Sequence, residues 1–284
     1  MNLLENTMYK LSIITINYNN AKGLKKTIES VINQTYNDFE YIIIDGCSSD
    51  ESVEILKSYT SPQSQPQPLL SWISEPDTGV YQAMNKGIKL ANGEYLLFLN
   101  GGDYLVNNDV LLKVAETFPV ADILCGMCEI SKSGKVVHIT NPPDFITFGT
   151  LYNIGLAHQA TFIKKYLFDK FGFYREDFKY HADIDFWYKS LILGDSTSSK
   201  LNFIISNYNL EGKSSTQTDN EQFKKEHKII LSHPIYQKFI PDYEKCKGEK
   251  EKLKPLLWFK SKKILFLPIY LLYSITNYLK KSAK

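Results

Sequence analysis

The chain has 284 residues, 43% of them hydrophobic, and a formal net charge of +2. It can therefore bury a sizeable core, and it lacks the broad basic surface of a nucleic-acid platform. Its four cysteines are too few for a disulfide framework, and residues 1–8 carry Glu5 and no apolar run, so no secretory leader and a reducing cytoplasmic setting are expected. Residues 11–17 (LSIITIN) are short and β-branched and predict a first strand, followed by an amphipathic helix with Leu24, Ile28, Val31 and Ile32 at helical spacing. Residues 41–45 predict a second strand, Val53, Leu56 and Tyr59 mark one face of a second helix, and the proline- and glutamine-rich stretch 60–68 predicts an extended loop. A third strand is expected at 69–74, a helix at 80–90 with Ala83, Met84, Gly87 and Ile88 inward, and a fourth strand at 95–99.

Strand and helix alternation of this kind implies an α/β fold with a mostly parallel central sheet and helices on both faces. After Asp103 the pattern changes. Residues 121–129 and 135–140 flank a turn at Lys132, Ser133 and Gly134 and predict an antiparallel hairpin. A strand at 160–163, a helix at 182–193 and a strand at 201–208 make the second half mixed. Cys125 and Cys128 form a C-x-x-C with no second pair at zinc spacing, so they are expected as small apolar residues of the sheet.

A parallel sheet gathers the carboxyl ends of its strands on one edge, where ligands bind. Thr15, Asn17 and Tyr18 end the first strand, Asp45 the second, Glu75 and Asp77 the third, and Asn100 and Asp103 the fourth. No G-x-G-x-x-G and no G-x-x-x-x-G-K-[ST] occurs, so a glycine cradle for phosphate is missing and a divalent cation with oxygen ligands, Mg²⁺ or Mn²⁺, takes its place. Structural roles stay open at this point: capping for Asp45, a helix start for Asp77, and packing for Asn85 and Lys86.

Four ordered segments carry a more specific signal: 12–19 (SIITINYN), 30–36 (SVINQTY) with 40–50, 74–81 (SEPDTGVY) with Met84 to Gly87, and 93–103 (GEYLLFLNGGD). Together they resemble the family 2 glycosyltransferases over residues 10–212, with the bacterial colanic-acid type of polysaccharide-assembly enzyme as the nearest pattern. The resemblance implies a GT-A-like, Rossmann-like fold with a nucleotide-sugar-binding half at 9–103 and a partly antiparallel acceptor-side half at 104–235. It also implies metal-dependent inverting transfer from a nucleotide-sugar, a UDP-sugar as the commonest choice, to a saccharide or lipid-linked saccharide in cell-surface polysaccharide biosynthesis.

Residue by residue, the resemblance sets Thr15, Tyr18, Asp45 and Asp77 on the nucleotide side and Asp103 at the metal-binding position of a D-x-D-like motif. Asp183, in His181-Ala-Asp183-Ile-Asp185, falls at the general base. On a regular helix, residues two apart point about 200° apart, and Asp185 has Lys189 one turn on as an ion-pair partner, which leaves Asp183 for chemistry. His158 matches an acceptor-side loop, and Lys213 a late loop over the donor. Two departures are notable: Asn100-Gly-Gly-Asp103 offers one acid rather than two, and Gln82 stands where relatives carry Asp.

The alternatives are a catalytically degenerate nucleotide- or partner-binding domain and a sugar-nucleotide nucleotidyltransferase, although the latter needs a basic glycine-rich loop that residues 15–23 lack. In the tail at 236–284, an apolar run (264–279) lies between lysines and includes Tyr270, Tyr273 and Tyr278. It is too short for a span and suits peripheral contact with the cytoplasmic face of an anionic inner membrane, with intramolecular packing or a homodimer contact as the other readings.

Overall fold

The computed structural model describes residues 10–60, 69–118, 121–210 and 221–261. In chain order the elements are β1 (Leu11–Asn17), α1 (Ala21–Ile32), β2 (Phe39–Asp45), α2 (Ser52–Tyr59), β3 (Leu69–Ser74), α3 (Val80–Leu90), β4 (Tyr95–Phe98), β5 (Tyr104–Leu105) and α4 (Val110–Ala115). They continue as β6 (Ile123–Lys132), β7 (Lys135–Thr140), α5 (Phe148–Asn153), β8 (Thr161–Lys164), α6 (Tyr166–Phe171), α7 (Ala182–Trp187), β9 (Ser198–Asn209), α8 (Glu221–Leu231) and α9 (Pro234–Ser261). The chain forms two compact units, Met1–His227 and Lys228–Lys284.

Among the described residues one sheet runs β3-β2-β1-β4-β8-β6-β9-β5, with β7 paired to β6. β3, β2, β1 and β4 are parallel, and β8 lies antiparallel between β4 and β6. This is the expected α/β architecture: a parallel first half and a mixed second half. The hairpin turns on Ser133 and Gly134, both at positive φ (49° and 72°), which suits a two-residue connection between strands of right-handed twist.

Strand parity divides the core. Leu11, Ile13, Tyr41, Ile43, Tyr95 and Leu97 face Leu24, Ile28 and Val31 of α1, and the spacing of those three residues gives the helix its apolar stripe. On the other face Gly87 of α3 lies against Ile14 so closely that a Cβ would stand 2.4 Å from its methyl, so glycine there permits close packing. Phe98 of β4 meets Phe168 and Tyr174 edge-on, and Phe168 stacks on Phe186 of α7 with centroids 4.5 Å apart. Such pairs contribute about 0.5–1.5 kcal/mol each beyond their burial. They fasten α7 to the strand that leads to Asp103.

The helix expected at 182–193 is α-helical only to Trp187 and continues as a π-helical turn, Tyr188–Leu193. Cys125 and Cys128 are free and buried, and burial pushes both thiols up to about 12, so they pack as small apolar groups. Among the described residues no helix is long and apolar enough to cross a membrane. The apolar tail segment and Lys213 lie outside the described residues.

Candidate active site

The loops after β1 and β2 interlock. The Asn19 backbone N–H donates to Ser48 Oγ (2.8 Å), and the Ser49 N–H donates back to Asn19 Oδ1 (2.8 Å). Asp45 is the hub of this lock. Its Oδ1 accepts from Asn17 Nδ2 (2.9 Å) and Ser48 Oγ (2.6 Å), and its Oδ2 from the Ser48 N–H (2.9 Å) and Ser74 Oγ (2.7 Å). A carboxylate has about four acceptor positions, so this one is filled. Expected beside the nucleotide base, Asp45 is fully buried and acts in the structure as the fastener of the strand-end loops.

Thr15 is fully buried, and its hydroxyl pairs with Tyr41 Oη at 3.0 Å. Tyr18, by contrast, is 57% exposed. Gly46 lies between Tyr18 and Asp77, where a Cβ would stand 2.6 Å from Asp77 Oδ2 and 3.3 Å from the Tyr18 ring. Asp77 accepts from the Gly79 N–H (3.0 Å), and burial, with the Asp45 charge, raises its carboxyl despite Gly79 and Lys86. Asn85 is structural: its amide spans both backbone groups of Tyr174, at 2.8 and 3.0 Å. Lys86 pairs with Glu75 at 2.8 Å, and Gln82 accepts from the Thr78 N–H and donates to Glu176.

The loop beyond β4 is held from α1. Thr27 Oγ1 donates to the Asp103 carbonyl (2.6 Å) and accepts from the Gly102 N–H (2.9 Å), while Asn20, the N-cap of α1, donates to the Gly101 carbonyl (2.6 Å). Gly102 has φ +111°, a conformation L side chains rarely adopt. Asp103 is thereby carried inside, 4% exposed, with Oδ2 unpartnered. Burial pushes its carboxyl up to about 7, against the opposing pull of the His158 charge and of backbone N–H groups at Asn100 and Asn209.

His158 is the link. Its Nε2 lies 3.3 Å from Asn100 Nδ2 and its Nδ1 lies 3.5 Å from Asp183 Oδ2. Burial lowers the ring's affinity for a proton, but the hydrogen bond and charge of Asp183, helped by Asp103, outweigh it and hold His158 above its ordinary value. Asp183 Oδ1 accepts from Tyr81 Oη (3.0 Å) and from the Ile184 N–H (2.9 Å). Burial and the Asp183 charge push the Tyr81 phenol well up, so it stays a donor. Asp185 pairs with Lys189 at 2.5 Å as its spacing predicted, although Asp185 is itself buried.

The structure thus brings Asp103, His158 and Asp183 together with Asn100, named in the sequence only as a strand-end residue, and adds one residue that sequence reasoning did not assign, Tyr81. Tyr81 lies one helical turn before Asn85 on the buried face of α3, but no local pattern shows which distant carboxylate a tyrosine will meet. Beside them is a cavity of about 490 Å³ with a largely apolar wall that includes Cys125, Ile154, Ala157 and Thr161. Ala157 leads directly into His158, and Gly155 packs on Ile184 next to Asp183. Three buried oxygens, Asn17 Oδ1, Asn100 Oδ1 and Asp103 Oδ2, have no partner among the described residues. Hard oxygen donors of this type fit Mg²⁺ or Mn²⁺, and among the described residues no group of three His, Cys, Asp or Glu side chains forms a complete cage.

A parallel half-sheet continued through an antiparallel strand into a mixed second half is the GT-A-like α/β arrangement. Residues 12–178 match the model of glycosyl transferase family 2, and the chain belongs to that family. It is 31% identical over 226 residues to a PGL/p-HBAD biosynthesis glycosyltransferase of Mycobacterium bovis (strain BCG / Pasteur 1173P2), covering 77% of this chain and 83% of that protein. Its fold is similar to that of S. aureus TarS 1-349 in complex with UDP (TM-score 0.58, 21% identity, 70% of this chain), of which it spans only 60%. It is also similar to the mannosyltransferase PcManGT from Pyrobaculum calidifontis in complex with GDP-Man and Mn²⁺ (TM-score 0.55, 15% identity, 97% of this chain and 86% of that one).

Two outcomes follow from this geometry. Asp45→Asn leaves donors facing an amide N–H₂ and should cost about 1–3 kcal/mol in urea unfolding. For Asp103, a folded-state carboxyl near 7 against about 3.9 unfolded means that stability is complete at low pH and is lost as pH rises through about 7. Asp103→Asn should therefore gain Tm over the parent between about pH 4 and 7 in metal-free buffer, reaching about 10 °C, and calorimetry across that range checks it.

Proposed function

We propose that the protein transfers a sugar from a nucleotide-sugar, a UDP-sugar by preference, to a hydroxyl of a lipid-linked saccharide, with inversion at the anomeric carbon. The observation that carries this reading is the chain Asn100–His158–Asp183–Tyr81, which sets a carboxylate across from the open oxygen of Asp103. Tyr81 and the Ile184 N–H fill Asp183 Oδ1, whereas Oδ2 faces only His158 Nδ1 at 3.5 Å and keeps a lone pair to take a proton. As the acceptor hydroxyl oxygen bonds to the anomeric carbon, its proton passes to Asp183, and the carbon–oxygen bond to the diphosphate breaks with its electron pair leaving on the diphosphate. His158 Nδ1, 3.5 Å from Asp183 Oδ2, orients the carboxylate toward the acceptor side.

Tyr18 and Asp77 form the nucleotide side, with Asp45 holding the loops from beneath. Asp103, helped by Asn100, would hold Mg²⁺ or Mn²⁺, which when bound offsets the charge of the departing nucleoside diphosphate. The complexes of TarS with UDP and of PcManGT with GDP-Man and Mn²⁺ support a nucleotide-sugar donor and a divalent metal. The apolar wall beside His158 supports an acceptor with an apolar portion, as does the glycolipid-biosynthesis name of the mycobacterial relative. In this reading residues 9–235 are the catalytic domain and the basic, apolar tail at 236–284 rests on an anionic membrane surface where such an acceptor resides.

The test is transfer and donor hydrolysis with UDP-, GDP- and dTDP-sugars in Mn²⁺. Asp183→Asn should lower kcat by about 10²–10⁴ with the donor KM unchanged, and near-normal turnover would remove Asp183 from the role of base. UDP binding that ignores metal, with no hydrolysis of any donor, would instead mark a catalytically silent nucleotide-binding domain. Ile154, 70% exposed at the cavity, offers a separate check. Ile154→Glu should raise the KM for a lipid-linked acceptor about tenfold while leaving donor hydrolysis intact, in keeping with the loss of one buried apolar contact.

A further inference from the structure

The N-cap residue of α7 does not cap that helix, whose first turn carries Asp183. The N-cap position is His181, whose side chain makes no capping hydrogen bond. The backbone donors leading into it are taken instead by a carboxylate from another element. Glu226 of α8 is fully buried. Its Oε1 accepts from the Lys179 N–H (2.7 Å) and from Gln222 Nε2 (2.7 Å), and its Oε2 from the N–H groups of Tyr180 (2.9 Å) and His181 (3.0 Å). Phe223, on the same helix, packs on the His181 ring with centroids 4.1 Å apart. Two donors meet each oxygen, and three consecutive backbone N–H groups are fixed by one side chain.

We propose that Glu226 is a positioning residue for sugar transfer: its carboxylate clamps the backbone at 179–181 and so sets where Asp183, two residues on, stands relative to His158. The Asp183–His158 distance is 3.5 Å, at the edge of hydrogen-bond reach, so a small displacement of the segment decides whether the pair exists. A buried carboxylate at the start of a helix is also favoured by the partial positive charge of the exposed N–H groups there. The inference rests on Asp183 as the base of the proposed reaction.

Glu226→Gln is the informative variant. It preserves size, but one of its two polar atoms becomes an N–H₂ facing two N–H donors, which loosens the clamp without opening a cavity. The expected result is a fall in kcat of about 10²-fold, the cost of a roughly 1 Å misplacement of a catalytic group, with the donor KM unchanged. Amide hydrogen exchange should quicken at residues 179–184 while β1, β2 and β4 keep their protection. Glu226→Asp, which retains both oxygens, should recover part of the lost kcat. Wild-type kcat in Glu226→Gln, or a loss of kcat that follows a general loss of protection across the sheet, would overturn the proposal. A wild-type protein without transfer would overturn the parent reading, whereas unchanged exchange at 179–184 would overturn this one, so the two failures are separable.

Discussion

The site depends on the antiparallel pairing of β8 with β4. Parallel strands deliver only their carboxyl ends to the binding edge, so a sheet of β3, β2, β1 and β4 alone offers Asn17, Asp45 and Asp103 and nothing from later in the chain. An antiparallel neighbour delivers its beginning to the same edge. With Leu96 opposite Ile163, the register carried forward brings residues 158–160 beside residues 99–101, and this is why His158 meets Asn100. One reversal of strand direction thus brings the second half of the chain to the edge where the first half ends its strands.

Two carboxylates at this edge show how environment separates scaffold from chemistry. Asp45 and Asp103 both end strands and both are buried. Four donors of the protein itself fill Asp45, which spends its charge on order. Asp103 is carried inward by Thr27 and the Gly101–Gly102 turn, yet keeps one oxygen without a partner and is raised by burial. A buried acid in that condition is costly unless something positive arrives. The contrast distinguishes a ligand-ready group from a structural one more sharply than position in a motif does.

The placement of α7 is controlled from two sides. Phe186 stacks into the aromatic cluster of Phe98, Phe168 and Tyr174, which sets the distance of the helix from β4. Glu226 holds the backbone at its start. Dispersion and burial supply most of the energy of the first contact, and charge-assisted hydrogen bonds supply direction in the second.

The alternation of apolar runs with helical spacing was sufficient for the parallel half, because strand and helix periodicities are local and strong. The hairpin was equally legible from Ser133-Gly134. The acids Asp103 and Asp183 could be named from their neighbours in the chain, because each follows a short signal, a buried strand or a helix start. Thr15 and Asp45 were set on the nucleotide side by the family resemblance, and how many donors surround a strand residue is a property of the neighbours it acquires on folding. The same holds for Tyr81, Asn100 and Glu226, which lie 102, 83 and 43 residues from Asp183 and meet its surroundings only through the sheet. The sequence by itself therefore determined the fold class and the family. Tertiary structure alone decided which polar groups were satisfied, which were left open and what held Asp183 in place, because hydrogen-bond saturation depends on contacts between segments that no local pattern encodes.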